Sequence, residues 1–309
     1  MSFATEVKNE LCFLDYSDKD LIALLSGFVR NNYSIVDGCL VLSTENAKIA
    51  RLLFTTFKRI YDVDVIINQG SINNFKKKNS YNVVVSDKMS FILNDLMIID
   101  YDGNEIFIDD IFLFNEDLKR DYLRGCFLAS GSVNDPKTSR YHLEFLVDKF
   151  VDAKFISYLL GLFYINSKII ERDKGYMVYV KEAEKIGDFL RLISANKSVM
   201  YYEDIRIYRD HKNMTNRLNN CEQANMDKIF FTANNQLRDI DRLREYDLMD
   251  LIDDKLKIVI EYREKYPEAS LSELSSVMER DGIKITKSGL NHRFRKIREI
   301  IQNIENKDK

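Results

Sequence analysis

The stretch "DYLRGCFLASGSVNDP", residues 121–136, decides how this chain folds. It has the pattern of an apolar helix that runs into small residues and then a turn, with Gly125 inside the helix. Glycine inside a helix costs about 1 kcal/mol relative to alanine, so its presence needs a structural reason. A second stretch of the same character, "LIALLSGFVRNNYS" at 21–34, carries Gly27. The two stretches indicate an internal duplication in which these glycines are equivalent.

The residues around the two stretches repeat the same order of elements. In the first copy, helical spacing of apolar residues predicts helices, and β-rich runs between them predict strands: helices at about 18–31, 45–61 and 86–97, strands at 39–44, 63–69 and 81–86. The second copy gives helices at about 116–130, 148–164 and 181–195, and strands at 141–147, 168–172 and 176–180. Two α-β-β-α-β-β-α units, and hence an α+β fold, are the simplest account.

The duplication explains the glycines. If the first helix of each copy packs against its counterpart about a pseudo-two-fold axis, small residues let the two backbones approach closely. Gly27 and Gly125 are therefore predicted to mark the contact between the halves.

The composition limits the class of protein. A chain of 309 residues with 45% hydrophobic and 31% charged residues is typical of a globular protein with more than one domain. The N-terminus, "MSFATEVKNELCF", has no basic segment followed by a long apolar one, and the longest apolar run, 155–165, is too short to span a bilayer. We expect a cytoplasmic protein that makes no membrane contact.

The cysteines and histidines predict neither a metal site nor disulfide bonds. Cys12, Cys39, Cys126 and Cys221 are far apart, form no C-x-x-C pair and have only three histidines to complement them. We interpret them as isolated core thiols. No metal and no cofactor are expected.

Positive charge is concentrated near the C-terminus although the formal net charge is −3. Acidic residues slightly outnumber basic ones in 1–200, and the two are nearly balanced in 250–309. Within 284–298, however, there are no acids and the basic residues are Lys284, Lys287, Arg293, Arg295, Lys296 and Arg298. Such a local excess indicates a surface for a polyanion.

Three short helices are predicted after residue 250. The first covers 253–266, and the second opens at Ser270 with Glu273 three residues later, which is the pattern of a capping box. Asp281-Gly282 ends the second helix. The third, 286–304, has an apolar stripe at spacings of four and three: Leu290, Phe294, Ile297, Ile301 and Ile304.

The polar side of this third helix has the residue types that read DNA. In a helix–turn–helix module the last helix enters the major groove, where asparagine suits adenine and arginine or lysine suits guanine or phosphate. The candidate DNA-binding residues are Lys287, Ser288, Asn291, His292, Arg293, Arg295 and Lys296. The alternative is a solvated basic face on a helix that only packs.

The duplicated part resembles the LAGLIDADG homing endonucleases over roughly residues 15–200. In that family an acidic residue just before the last glycine of each motif holds the catalytic metal; here Ser130 and Asn32 stand at those positions. Neither side chain replaces a carboxylate at a hard metal ion, so no catalytic residue is assigned. Asp37 and Asp135 remain as displaced carboxylates for a metal-dependent endonuclease, although both read more simply as turn residues. The family also binds DNA on its sheets, and "FKKKN" at 75–79 is either a solvated hairpin loop or a contact to DNA or a partner.

The whole chain resembles the WhiA family of bacterial regulators. The resemblance rests on "SFATEVKNEL" at 2–11, "YLRGCFLASGSVNDP" at 122–136, "YMVYVKEAE" at 176–184, "NRLNNCEQAN" at 216–225, and "SLSELSSVM" with "TKSGLNHRFRKI" near the C-terminus. It implies a nucleoid-associated protein that binds double-stranded DNA without cutting it. The implied processes are transcriptional control, cell division and chromosome segregation, with sporulation where the host sporulates. "ERDGIKI" at 279–285 departs from the family turn, which leaves the docking angle open.

The expected organisation has three parts. Residues 1–200 form the degenerate LAGLIDADG-like domain, with repeats at about 15–100 and 113–200, and offer a surface for other transcription or cell-division proteins. Residues 201–245 form a helical linker, in which phosphate contact by Arg209 or Arg217 is a further alternative. Residues 246–309 form the helix–turn–helix domain.

Overall fold

The computed structural model describes residues 1–71, 79–108, 113–138 and 140–306, without the side chains of Ser71 and Asn79. The chain divides into two compact units, Met1–Arg209 and Asp210–Lys309. Of the basic run at 75–79, residues 75–78, where a loop is predicted, lie outside the described residues. Among the described residues, none of the helices combines the length and apolar composition that a membrane span requires.

The first repeat follows a short N-terminal helix. Helix α1 (Phe3–Leu11) leads to α2 (Asp18–Arg30), β1 (Tyr33–Val36), β2 (Cys39–Thr44), α3 (Ala47–Tyr61), β3 (Val65–Ser71), β4 (Asn79–Val85) and α4 (Met89–Asp95). The four strands form one antiparallel sheet in the order β1-β2-β4-β3. Alternation places Leu40, Leu42, Val83 and Val85 in the core.

The second repeat has the same order of elements. It consists of α5 (Glu116–Ser130), β5 (Gly131–Val133), β6 (Leu143–Val147), α6 (Phe150–Leu162), β7 (Lys168–Arg172), β8 (Gly175–Val180) and α7 (Ala183–Leu192). Its strands pair in the order β5-β6-β8-β7, which is the same topology as that of the first sheet, β1-β2-β4-β3. The predicted duplicated αββαββα architecture is therefore confirmed.

Helices α2 and α5 pack against each other through the two glycines. A Cβ atom on Gly27 would overlap the carbonyl oxygen of Tyr122, and one on Gly125 would overlap the carbonyl oxygen of Leu24. Both obstacles are backbone atoms of the opposite helix, which no side-chain rotation can move. The predicted contact between the halves is confirmed.

Two arginines in this unit, each with about nine-tenths of its side chain out of solvent, are paired with a carboxylate. Arg30 of α2 lies 3.6 Å from Asp152 of α6, and Arg124 pairs with Asp121 one turn earlier on α5. Burial raises the pKa of Asp121 to about 6 and also raises the pKa of Asp152, against the lowering effect of the arginines. A buried charge costs several kcal/mol unless it is paired, and the two carboxylates offset that cost for these guanidinium groups.

The longest helix, α8 (Asn196–Glu245), begins against the side chain of Glu10. The Glu10 carboxylate accepts hydrogen bonds from the backbone N–H groups of Lys197 and Ser198 at 2.6 and 3.0 Å and from the Ser198 hydroxyl at 2.8 Å. It thereby satisfies donors that a helix start leaves open and lies at the positive end of the helix dipole.

We expect Glu10→Gln to lower the free energy of unfolding by about 1–2 kcal/mol, because the amide keeps one acceptor and loses the charge. Hydrogen exchange at the first turn of α8 should rise in parallel. The matched control is Glu6→Gln, four residues earlier on α1, whose side chain is exposed. Equal effects from both variants would show that the Glu10 contacts contribute nothing specific.

The second unit contains most of α8, from Asp210 onward, and three short helices, α9 (Asp254–Lys265), α10 (Leu271–Arg280) and α11 (Lys287–Glu305). All four cysteines are free thiols, but only Cys126 is buried. The prediction that they are all core thiols is wrong for Cys221, which lies on an exposed part of α8.

Candidate nucleic-acid interface

Helices α9, α10 and α11 pack around a second hydrophobic core. The predicted stripe of α11 is confirmed: Leu290, Phe294, Ile297 and Ile301 are buried, and Ile304 packs partly against them. Helix α10 contributes Leu274 and Met278 to this core, and α9 contributes Leu256, Val259 and Ile260. This core fixes which side of α11 remains in solvent.

The helix starts are fixed by side-chain caps. Ser270 and Glu273 form the predicted capping box, in which the Ser270 hydroxyl accepts from the Glu273 N–H at 3.2 Å and the Glu273 carboxylate accepts from the Ser270 N–H at 2.7 Å. The Thr286 hydroxyl accepts from the Gly289 N–H at 3.2 Å and caps α11. The first turn of α11 therefore has a defined position, as base contact requires.

The turn between α10 and α11 covers residues 281–286, longer than the usual three or four residues of a helix–turn–helix. Gly282 adopts a φ of +86°, which favours glycine, and Ile283 and Ile285 pack partly on the second core. The Ser275 hydroxyl donates to the Ile285 carbonyl at 2.5 Å. The longer turn is thus anchored to α10. Its extra residues account for the departure of "ERDGIKI" at 279–285 from the family turn.

The candidate residues are divided between an open face and two flanks of α11. Ser288, Asn291, His292 and Arg295 are exposed on the side opposite the core, and Lys287 is exposed at the helix start. Arg295 lies 3.5 Å from Glu299 one turn later, an exposed pair that contributes little. The other four side chains make no hydrogen bond or ion pair with any described residue. They are available to an incoming ligand.

The flanking basic residues are held by neighbouring helices. Arg293 donates to the Lys255 carbonyl at 3.2 Å, and Lys296 lies 3.3 Å from the carboxylate of Asp253, the N-cap of α9. Arg298 donates to Asp239 of α8 at 2.9 Å. Sequence reasoning missed these partners. The exposed pair of Lys296 can exchange its carboxylate for a phosphate at small cost, since such surface pairs contribute about 0–1 kcal/mol.

The arrangement suits a duplex. The first two turns of α11 present amide, hydroxyl, imidazole and guanidinium groups on one face, and cations lie at the start and along one flank. Amide and guanidinium groups make paired hydrogen bonds to base edges, whereas cations along a flank suit phosphates.

The former nuclease positions are occupied by side chains with structural partners. The Ser130 hydroxyl donates to the Cys126 carbonyl at 3.3 Å, which is a bond within α5. The Asn32 side-chain oxygen accepts from the Ser43 N–H at 2.9 Å and ties the end of α2 to β2. Within the described ranges, no three acidic, histidine or cysteine side chains come close enough to hold a metal ion.

The two candidate displaced carboxylates lie in turns. Asp37 has a φ of +50° between β1 and β2. The Asp135 carboxylate accepts from the Lys137 N–H at 2.9 Å and from the Tyr201 hydroxyl at 3.2 Å. In the same turn, Arg209 donates to the Pro136 carbonyl at 2.6 Å and stacks on Tyr141. These contacts give Asp135 and Arg209 a structural role.

Comparison with known families covers both units. Residues 19–99 match the WhiA N-terminal LAGLIDADG-like domain, residues 119–212 match the WhiA LAGLIDADG-like domain, and residues 215–301 match the WhiA C-terminal HTH domain.

Individual relatives match along almost the entire chain. The probable cell division protein WhiA of Bacillus pumilus is 40% identical over 99% of this chain and 98% of its own length. The protein of the same name from Bacillus cereus is 43% identical over 98% of this chain and 97% of its own length. Among solved structures, full-length DUF199/WhiA from Thermatoga maritima superposes with a TM-score of 0.59 at 24% identity, covering 98% of this chain and 99% of that one.

Proposed function

This chain belongs to the WhiA family, and we propose that it is a DNA-binding regulator of cell division that does not cut DNA. Its Bacillus relatives are named probable cell division proteins, and its C-terminal unit matches an HTH domain. The proposed action is transcriptional control at the nucleoid, extending to chromosome segregation and, where the host sporulates, to sporulation.

The observation that carries the proposal is the open face of α11. Asn291, Arg295 and Lys287 are exposed in the first turns of a helix whose opposite side is locked in a core and whose start is capped. An exposed helix face of this kind needs no further rearrangement to enter a major groove, which is about 12 Å wide. The candidate site residues retain the role of base and phosphate contacts within this proposal.

We propose that the protein does not cut DNA because the residues at the ends of the two LAGLIDADG-like motifs, Ser130 and Asn32, are not acidic. Metal-dependent hydrolysis of a phosphodiester needs carboxylates that hold the ion and activate water. Ser130 and Asn32 supply none, and their polar atoms are engaged by Cys126 and Ser43.

Incubation of the full chain with duplex DNA and Mg²⁺ or Mn²⁺ tests both parts of the proposal. We expect retarded DNA whose affinity falls steeply with salt, because cations that neutralise phosphates release counterions. On a denaturing gel both strands should stay intact. Metal-dependent cutting that disappears in Asp135→Asn would establish the endonuclease alternative instead.

A further inference from the structure

A cavity of about 290 Å³ lies within the second unit, beside the starts of α10 and α11. Its walls come from the end half of α8, the last turn of α9, the loop before α10, and the first residues of α10 and α11. The lining includes Lys228, Arg263, Ser270, Leu271, Ser272 and Lys287.

Arg263 forms a positively charged wall of this cavity. Its side chain is only 1% exposed and stacks on the ring of Phe294 at 5.6 Å. One terminal nitrogen donates to the carbonyl oxygens of Ala269 at 2.6 Å and Tyr266 at 3.3 Å, whereas Nε has no hydrogen-bond partner. These acceptors are neutral, so the charge itself is not compensated.

Two arginines of the first unit that are largely, though not fully, buried differ from Arg263 in their partners. Arg30 and Arg124 each have a carboxylate partner, but no ion pair joins Arg263 to an acid in the described part of the chain. Burial alone lowers the pKa of the Arg263 guanidinium to about 10, and no neighbouring acid raises it. A guanidinium left without a counter-charge in such a place is costly, and an anion in the cavity would remove that cost.

Further donors face the same space. The backbone N–H groups of Leu271 and Ser272 open α10 and donate to no described residue, since the Ser270 hydroxyl caps the N–H of Glu273 instead. The exposed amines of Lys228 on α8 and Lys287 on α11 make no hydrogen bond or ion pair among the described residues. The nearby acid, Glu273, is held by the Ser270 N–H at 2.7 Å.

We propose that this cavity binds a phosphate group, held by Lys228, Lys287 and the start of α10 above the buried guanidinium of Arg263. A phosphate oxygen accepts from helix N-terminal N–H groups and from lysine and arginine donors. The inference rests on the proposed DNA-binding function for its source, a phosphate of the DNA backbone. It extends the DNA contact from α11 to Lys228 of α8, which is not among the DNA-contacting residues expected from the sequence.

The test uses the full chain and the double variant Lys228→Gln/Lys287→Gln. The matched control, Lys212→Gln/Lys265→Gln, removes two other exposed lysines of α8 and α9; Lys212 lies about 160° around α8 from Lys228. The first measurement is the gain in Tm in potassium phosphate over potassium chloride at equal ionic strength. The second is the slope of log affinity for duplex DNA against log salt.

We expect the wild type and the control to gain more in Tm from phosphate than the double variant does. We also expect the double variant to reduce the salt slope by about 1, because the site holds one phosphate and each neutralised phosphate contributes about 0.9 to the slope. A change in slope together with the Tm effect supports a backbone phosphate in the cavity. A change in slope without a Tm effect contradicts the cavity site, because loss of the α11 contact of Lys287 alone predicts it. A Tm effect without a change in slope supports a free phosphate ion as the occupant.

If the double variant matches the wild type in both measurements, the phosphate site is refuted. The failure of the proposed function looks different: the wild type itself would then show no salt-dependent DNA binding, whatever phosphate does to Tm.

Discussion

A Gly125→Val variant is expected to lose about 3–5 kcal/mol of unfolding free energy, the largest effect of any single substitution considered for the first unit. The added side chain would enter the space of the Leu24 carbonyl and the Phe28 backbone nitrogen. Because α2 and α5 touch backbone to backbone there, relief requires the two helices to separate. Their separation would open the core that both repeats share.

Urea unfolding followed by circular dichroism measures this loss, and hydrogen exchange of the α2 and α5 amides locates it. Gly161→Ala is the control, because a Cβ atom on Gly161 of α6 meets nothing within 4 Å. It should be neutral or stabilise the protein by up to about 1 kcal/mol, as alanine does in a helix. If Gly125→Val unfolds at the same urea concentration as Gly161→Ala, the helices do not pack through their glycines.

The second large effect is expected on sequence preference. Asn291→Ala should lower affinity for the preferred site by about 1–3 kcal/mol while leaving affinity for unrelated duplex nearly unchanged, since a base contact is lost and no charge is removed. Ser288→Ala should do the same to a smaller extent. Arg298→Gln is the control, for which sequence preference should stay unchanged. The Arg298 side chain is already paired with Asp239 and lies beyond the open face of α11.

Site selection from a random duplex library, repeated for each variant, measures this preference. Relaxation at one or two adjacent base pairs would identify the contacts of Asn291. A uniform loss of affinity on all sequences would contradict base readout by that residue and leave α11 as a phosphate contact only.

Most of the fold could be predicted because the two repeats carry strong periodic patterns. Helix α5 was expected at about 116–130 and is Glu116–Ser130. Strands β1 and β5 were not predicted, because four and three residues are too few to show an alternating pattern. In β1, moreover, the last three residues are all exposed, so neither face of the strand carries an apolar signal of burial. The start of α8 was also missed, since Glu10 fixes it from a position far earlier in the sequence.

The site could be predicted only as far as local spacing reaches. The open face of α11 follows from the apolar stripe opposite it. The partners of Lys296 and Arg298 could not be predicted from local spacing. Asp253 and Asp239 are 43 and 59 residues away in the sequence and are brought close only by the packing of the helices. Arg263 had a usable signal: it continues the buried spacing of Val259 and Ile260, which places a charge in the core.

The most direct test of DNA binding by α11 is the affinity of a fourfold alanine variant of the full chain for duplex DNA. The changes are Lys287→Ala, Asn291→Ala, His292→Ala and Arg295→Ala, all at exposed positions where alanine preserves the helix. We expect at least about 100-fold weaker binding at fixed salt with Tm nearly unchanged, since 1.4 kcal/mol corresponds to tenfold. Affinity equal to that of the wild type would contradict the assignment and place DNA binding elsewhere in the chain.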